Sequence, residues 1–178
     1  ANKKKADGSD HASAKEVSEK ATITHGVFRP TSGGATHVRA CSNKLASSYL
    51  EGMAEGLDPN EKTGEKTKKS NACDKSSEYA KARNHERPHT SHTESRIIED
   101  LFNPAKGAIG TGGGVLTLHI DWKTARGKNT TQDACQHCRD LLCSVAGGKD
   151  SSCITVKICF GDPEAAPVDV KDTPYCKP

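Results

Sequence analysis

The stretch VLTLHIDW, residues 115–122, alternates apolar and polar side chains, so that Leu116, Leu118, Ile120 and Trp122 share one face. That is the period of a half-buried strand. Helical spacing flanks it on both sides. Upstream, Ser91 with Glu94 three residues on makes a capping-box pattern, Ile97, Ile98 and Leu101 supply a buried stripe, and Asn103-Pro104 ends the helix. Downstream, Cys135 to Ala146 turns Leu141, Leu142 and Val145 inward and is stopped by Gly147-Gly148. Cys153 to Phe160 then returns to the two-residue period, with Ile154, Val156, Ile158 and Phe160 on its apolar face. The order helix, strand, helix, strand predicts an α/β fold. Two strands joined through a helix need a crossover, which puts both helices against one side of a mixed sheet.

Towards the N-terminus the pattern is thinner. Ile23 to Arg29 and Thr36 to Cys41 read as strands, separated by the turn residues Pro30-Thr31-Ser32-Gly33-Gly34 in a hairpin-like arrangement. Lys44 to Met53 reads as a short helix with Leu45, Tyr49, Leu50 and Met53 on one face and Gly56 as its stop. Residues from about 55 to 90 are polar, lysine-rich and nearly free of large apolar side chains, which predicts an insertion or long surface loop, with a helical turn near Glu78 to Arg83. Residues 1–20 are charged and small with no apolar stripe. They are expected to form a linker or a disordered N-terminus, leaving 21–178 as a single domain.

Hydrophobic residues make up 33% of the 178 and charged ones 28%, enough apolar material for one core and too little for a second. No apolar run reaches the length of a membrane-spanning helix, and no charged start followed by an apolar block forms a signal peptide. A membrane is therefore not an expected partner. The polar start at Ala1 is what a piece excised from a longer protein would show, so any export signal is expected elsewhere in that protein. A net charge of +3 falls well short of the dense basic character of a dedicated duplex-binding protein.

The chemistry lies at the starts of the two helices. His92-Thr93-Glu94 opens the first and Cys135-Gln136-His137-Cys138 the second. One histidine and two cysteines can hold Zn²⁺ and leave its fourth position to water or hydroxide, and a glutamate two residues beyond the histidine can move that water's proton. Either half alone is weak, because H-x-E arises by chance and a lone C-x-x-C also serves redox chemistry or structural zinc. Cys135 and Cys138, three apart at a helix N-terminus, present both sulfurs on nearly one face, where the helix dipole favours the thiolates that bind metal. His92 would be the third ligand and Glu94 the proton carrier, with one Zn²⁺ per chain. His137, between two helical ligands, points away.

The H-x-E helix, the alternating strand, the C-x-x-C helix and the following strand, in that order, resemble the zinc-dependent nucleoside and nucleic-acid deaminase superfamily. Within it, "SHTESRIIEDL" and "ACQHCRDLLC" most resemble the deaminase domains at the C-termini of bacterial polymorphic toxins, delivered by contact-dependent or type VI secretion. The resemblance covers about residues 90–160, and the hairpin at 22–41 loosely. It implies a cytidine-deaminase-like three-layer α/β/α fold with a mixed sheet of about five strands. It also implies conversion of cytosine to uracil in DNA, preferably single-stranded, inside the cytoplasm of a target cell reached as part of a larger secreted effector. A cognate immunity protein in the producing cell is the implied partner. His92, Cys135 and Cys138 match the superfamily's ligands and Glu94 its proton shuttle. One position departs from the pattern: proline usually precedes the first cysteine, and here it is Ala134.

Substrate contacts are more open. Asn43 stands roughly where such enzymes place an asparagine against the target sugar, and it serves equally as a plain turn residue. Trp122 could stack on a base, or pack in the core with its apolar face. Lys123, Arg126 and Lys128 carry three cations in one loop, either a phosphate track or a solvated loop. Cys143, Cys153 and Cys159 read as small buried or half-buried residues, while a bridge among Cys41, Cys73 and Cys176 stays open. Competing readings are a deaminase of RNA or of free nucleosides and nucleotides, a non-catalytic zinc-stabilised interaction module, and a secreted disulfide protein.

Overall fold

Pro30 to Gly34 reverses the chain between β1 (Ile23–Pro30) and β2 (Thr36–Cys41), which pair antiparallel with His25 opposite Arg39. The computed structural model describes residues 22–42, 52–56, 92–106, 113–123, 130–131, 133–146, 154–160 and 164–176, with only the backbone at 122–123 and 130–131. The remaining elements are α1 (Thr93–Leu101), β3 (Gly114–Lys123), β4 (Thr130–Thr131), α2 (Gln136–Val145), β5 (Thr155–Cys159) and β6 (Val168–Asp169), followed by a 3₁₀ turn at Val170–Asp172. The sheet runs β2-β1-β3-β5-β6, with the short β4 pairing the end of β3. Among the strands described, β3 and β5 are the one parallel pair, Leu116 lying opposite Val156 and Leu118 opposite Ile158, and α2 makes the connection that such a pair requires. The fold is α/β with a mixed sheet, as the pattern predicted.

Both helices lie on one face. Phe28, Leu116, Leu118, Ile120, Val156 and Ile158 from the sheet bury completely against Ile97, Ile98, Leu141, Leu142 and Val145 from the helices. Each such side chain contributes about 1.5–3 kcal/mol on leaving water, so this one layer of contacts dominates the stability of the described fold. The opposite face carries His25, Arg29, His37 and Arg39, all exposed, with Thr117, His119 and Lys157 half-buried. No helix among the described residues covers it, so these residues make two layers of the expected three.

Several element boundaries differ from the sequence reading. The N-cap of α1 is His92, one residue later than expected, and no side chain caps it. Glu94 is thus the second helical residue, and its carboxylate turns into the interior instead of closing a capping box. Nearly all of α1 is buried, including Arg96 and Glu99, where the pattern suggested only a stripe. The reason is the segment 52–56, which folds back over the helix. Met53 bridges Arg39, so it is extended and not the end of a helix, and Ala54 N–H donates to the Arg39 carbonyl at 2.7 Å. Glu55 and Gly56 then donate their N–H groups to the Asp100 carboxylate at 3.0 and 2.9 Å. Gly56 has φ +70°, and a Cβ there would stand 2.8 Å from the Arg96 Cα, so the position demands glycine twice over. The rest of the helix read at 44–53, the turn at 78–83 and the N-terminal segment lie outside the described residues. Phe160 falls just past β5 and is 36% exposed, resting edge-on against Tyr175 instead of extending the core face.

Cys143 is half-buried, as expected, but it is not a free thiol. It is bridged to Cys176, 33 residues away, with the two Cα atoms 5.2 Å apart. Closing a loop of that length in the unfolded chain is worth about 3–4 kcal/mol in the chain-entropy picture.

Candidate metal centre

The two helix N-termini converge. His92 and Cys135 are the N-cap residues of α1 and α2, both with extended backbone (φ −69°, ψ 146° and φ −67°, ψ 162°) and neither making a capping hydrogen bond. Ser, Thr, Asp or Asn at such a position typically stabilises a helix by about 0.5–2 kcal/mol over a residue that cannot cap. Here that position carries metal-ligand side chains at both helices. Cys138 follows three residues after Cys135, one turn into α2, and is 1% exposed.

His92 Nδ1 lies 3.2 Å from Cys135 Sγ and 3.3 Å from Cys138 Sγ. All three ligand atoms are within 4.8 Å of one another. A tetrahedral zinc with bonds of about 2.3 Å to sulfur and about 2.1 Å to nitrogen spaces such atoms by about 3.6 Å. The two His92–cysteine separations therefore need to open by only a few tenths of an ångström to suit such bonds, and the donor set fits zinc. Among these three side chains the protons are divided unevenly. The neighbouring Cys138 side chain first, and His92 with it, bring the Cys135 thiol down to about 3. Cys138 moves the opposite way, well above the usual thiol range, through the Cys135 thiolate, its own burial and the charge of Glu94. His92 is raised by its hydrogen bond to Cys135 against the opposing effect of burial. A metal ion replaces protons held by this network, so lowering the pH through the range of His92 weakens metal binding.

Glu94 is 4% exposed and stands beside this cluster. Its Oε2 accepts hydrogen bonds from Thr93 Oγ1 at 2.9 Å and from Cys138 Sγ at 3.4 Å. Burial raises its carboxyl above the ordinary range. Thr24 Oγ1, on β1, lies 2.7 Å from Thr93 Oγ1. Thr93 has one hydroxyl proton and gives it to Glu94, so Thr24 is the donor in that contact. A two-hydroxyl chain from the sheet thus orients the carboxylate. Thr24→Val is expected to leave metal content unchanged and to loosen Glu94, lowering the rate of any reaction that uses it by about tenfold, the equivalent of one neutral hydrogen bond. An unchanged rate would remove Thr24 from the site.

Of the residues expected at the site from sequence, His92, Glu94, Cys135 and Cys138 come together here. His137 is half-buried on α2 and is not part of the ligand cluster. Trp122 and Lys123 end β3 opposite Thr131 and Thr130 of β4, with their side chains outside the described residues. Asn43, Arg126 and Lys128 also lie outside them. Sequence reasoning missed Thr24 and Thr93. A threonine inside an otherwise core-facing strand position, and another between two ligand-type residues, were the available signals. Comparison with protein-family models, curated proteins and solved structures finds no match.

Proposed function

We propose that this chain is a zinc-dependent hydrolytic deaminase that converts cytosine to uracil in DNA, preferably single-stranded. We further propose that it is the toxin domain of a larger secreted interbacterial effector, countered in the producing cell by an immunity protein. The observation that carries the enzymatic reading is the Glu94 carboxylate, buried against Cys138 yet outside the three-atom ligand cluster. Three protein ligands leave a zinc ion a position for water, and a carboxylate placed beside it has acid–base work to do. A purely structural zinc site would be expected to supply a fourth protein ligand. Among the described residues none joins the three.

Zinc, when bound, supplies the Lewis acidity that brings the pKa of water towards about 7. The chain's own groups do the rest. Glu94 Oε2 takes a proton from the attacking water and holds it, because burial favours the neutral carboxyl. It delivers that proton to the ring nitrogen beside the attacked carbon, then moves the second proton to the departing amino group. Water and cytosine are thereby converted to uracil and ammonia, with Glu94 returned to its starting state. Thr93 and Thr24 hold the carboxylate in line throughout. The sheet order, with the parallel β3–β5 pair joined through α2, is compatible with a deaminase-like fold. The toxin assignment rests on the resemblance of residues 91–101 and 134–143.

Incubating the purified protein with single-stranded DNA, duplex DNA, RNA and free cytidine, then measuring uracil in each, tests the proposal. Uracil should accumulate first in single-stranded DNA. Uracil in free cytidine alone would reject the toxin reading, and uracil in none would reject the enzyme.

A further inference from the structure

The segment that delivers Cys135 to the cluster is held by residues far from it in sequence. Tyr175, 7% exposed, accepts a hydrogen bond from Ala134 N–H at 3.0 Å, and its own hydroxyl donates to the Asp133 carboxylate. Arg139 donates through Nε to the Ala134 carbonyl at 2.8 Å and pairs through its Nη2 with Asp133. The same guanidinium lies 5.1 Å from the centre of the Tyr175 ring, and Phe160 meets that ring edge-on at 6.0 Å. Both backbone polar groups of Ala134, the residue immediately before Cys135, are therefore engaged. An alanine has no ring to restrict its backbone as a proline would, and its N–H is the group the tyrosine grips.

The tyrosine is itself well anchored. Val170 is fully buried, Thr173 Oγ1 donates to the Val170 carbonyl at 2.7 Å, and Tyr175 N–H donates to Thr173 Oγ1 at 3.2 Å. Next to it, Cys176 is bridged to Cys143 on α2. The C-terminal turn and the helix bearing Cys138 are thus covalently one unit.

We propose that Tyr175 is a positioning residue of the metal centre: with Asp133 and Arg139 it clamps the Asp133–Cys135 entry to α2 so that Cys135 Sγ is pre-set against His92 and Cys138, and the Cys143–Cys176 bridge keeps the clamp shut. The inference rests on reading His92, Cys135 and Cys138 as metal ligands. Tyr175 is not one of the three ligand-type side chains of the cluster. It acts through Ala134, by removing the freedom that Cys135 would otherwise lose on binding the ion. Burial raises the phenol above its usual range, so it remains a hydrogen-bond donor at any working pH.

The test measures Zn²⁺ affinity by competition with a chromogenic chelator and follows the Co²⁺ absorption bands that report thiolate ligation, in the whole chain and in Tyr175→Phe. Phenylalanine keeps the ring and its contacts with Arg139 and Phe160 and deletes only the hydroxyl. Tyr175→Phe should bind Zn²⁺ about 10–100-fold more weakly, the range found when a partner behind a metal ligand is lost, and should show altered Co²⁺ bands. Asp133→Asn, which takes away the carboxylate that both Tyr175 and Arg139 hold, should do the same, and the two changes together should cost less than their sum. A lowered melting temperature with unchanged affinity and unchanged bands would make Tyr175 merely structural and overturn the clamp. Failure of the unaltered chain to take up either metal is a different result, which overturns the metal reading itself. Should Tyr175→Phe not fold, Asp133→Asn decides by the same two readouts.

Discussion

Glu94→Gln should lower deamination of single-stranded DNA by about 10² to 10⁴-fold while zinc stays bound at one per chain, the range expected for loss of a positioned general acid–base group. The substitution is nearly isosteric. The amide oxygen can still accept from Thr93 Oγ1, so the hydroxyl chain from Thr24 survives and the side chain keeps its place. What disappears is the ability to take a proton from water and return it to the base. Because the carboxylate stands outside the ligand cluster, metal analysis should read the same in both proteins. That separation is the force of the experiment. A module whose zinc only supports structure would show neither activity nor any response to this change, whereas an enzyme acting by another route would keep its rate in the variant. Either result would remove Glu94 from the chemistry proposed above.

Cys138→Ser should have the largest effect on stability. Cys138 is buried at the start of α2, and its Sγ lies 3.3 Å from His92 Nδ1 and 3.4 Å from Glu94. Serine does not provide the soft thiolate that zinc prefers, so the substitution removes one of the three candidate ligands. The zinc-loaded chain should lose about 4–5 kcal/mol against urea, the size of effect associated with loss of a metal. A chelator supplies the control, since it should bring the unaltered protein down towards the variant and leave the variant itself unmoved. If the chelator has no effect on either, the cluster carries no stabilising ion in solution.

The parts of this molecule that were legible in sequence are those specified within ten or so residues. Leu116, Leu118 and Ile120 announce a strand by period alone, and Leu141, Leu142 and Val145 announce a helix, because the pleat and the helical turn sort side chains locally. The cysteine pair was legible for the same reason, as spacing on one helix. What escaped depends on long-range meetings. Ser91 and Glu94 match a capping box, yet the carboxylate turns inward to Thr93 and Cys138, and no local rule weighs those alternatives. Met53 fits a helical stripe but pairs with Arg39, and α1 is buried on nearly every side because residues 52–56 return over it. The Cys143–Cys176 bridge and the grip of Tyr175 on Ala134 span 33 and 41 residues, and no periodicity carries that information.

The bridge between Met53 and Arg39 has a consequence for how copies of this protein meet. A sheet ending in a free strand offers unpaired backbone groups on which a second molecule can add its own strand. Here β6 closes one edge with only two residues, and β2, at the other, has its Arg39 carbonyl taken by Ala54 and carries the exposed side chains of His37 and Arg39. Among the described residues, the short length of one margin, and the Ala54 hydrogen bond with the Arg39 charge at the other, leave little regular edge for a second strand to extend. A second copy adding a strand at these described margins would have to displace Ala54 from Arg39 or pair with only the two residues of β6.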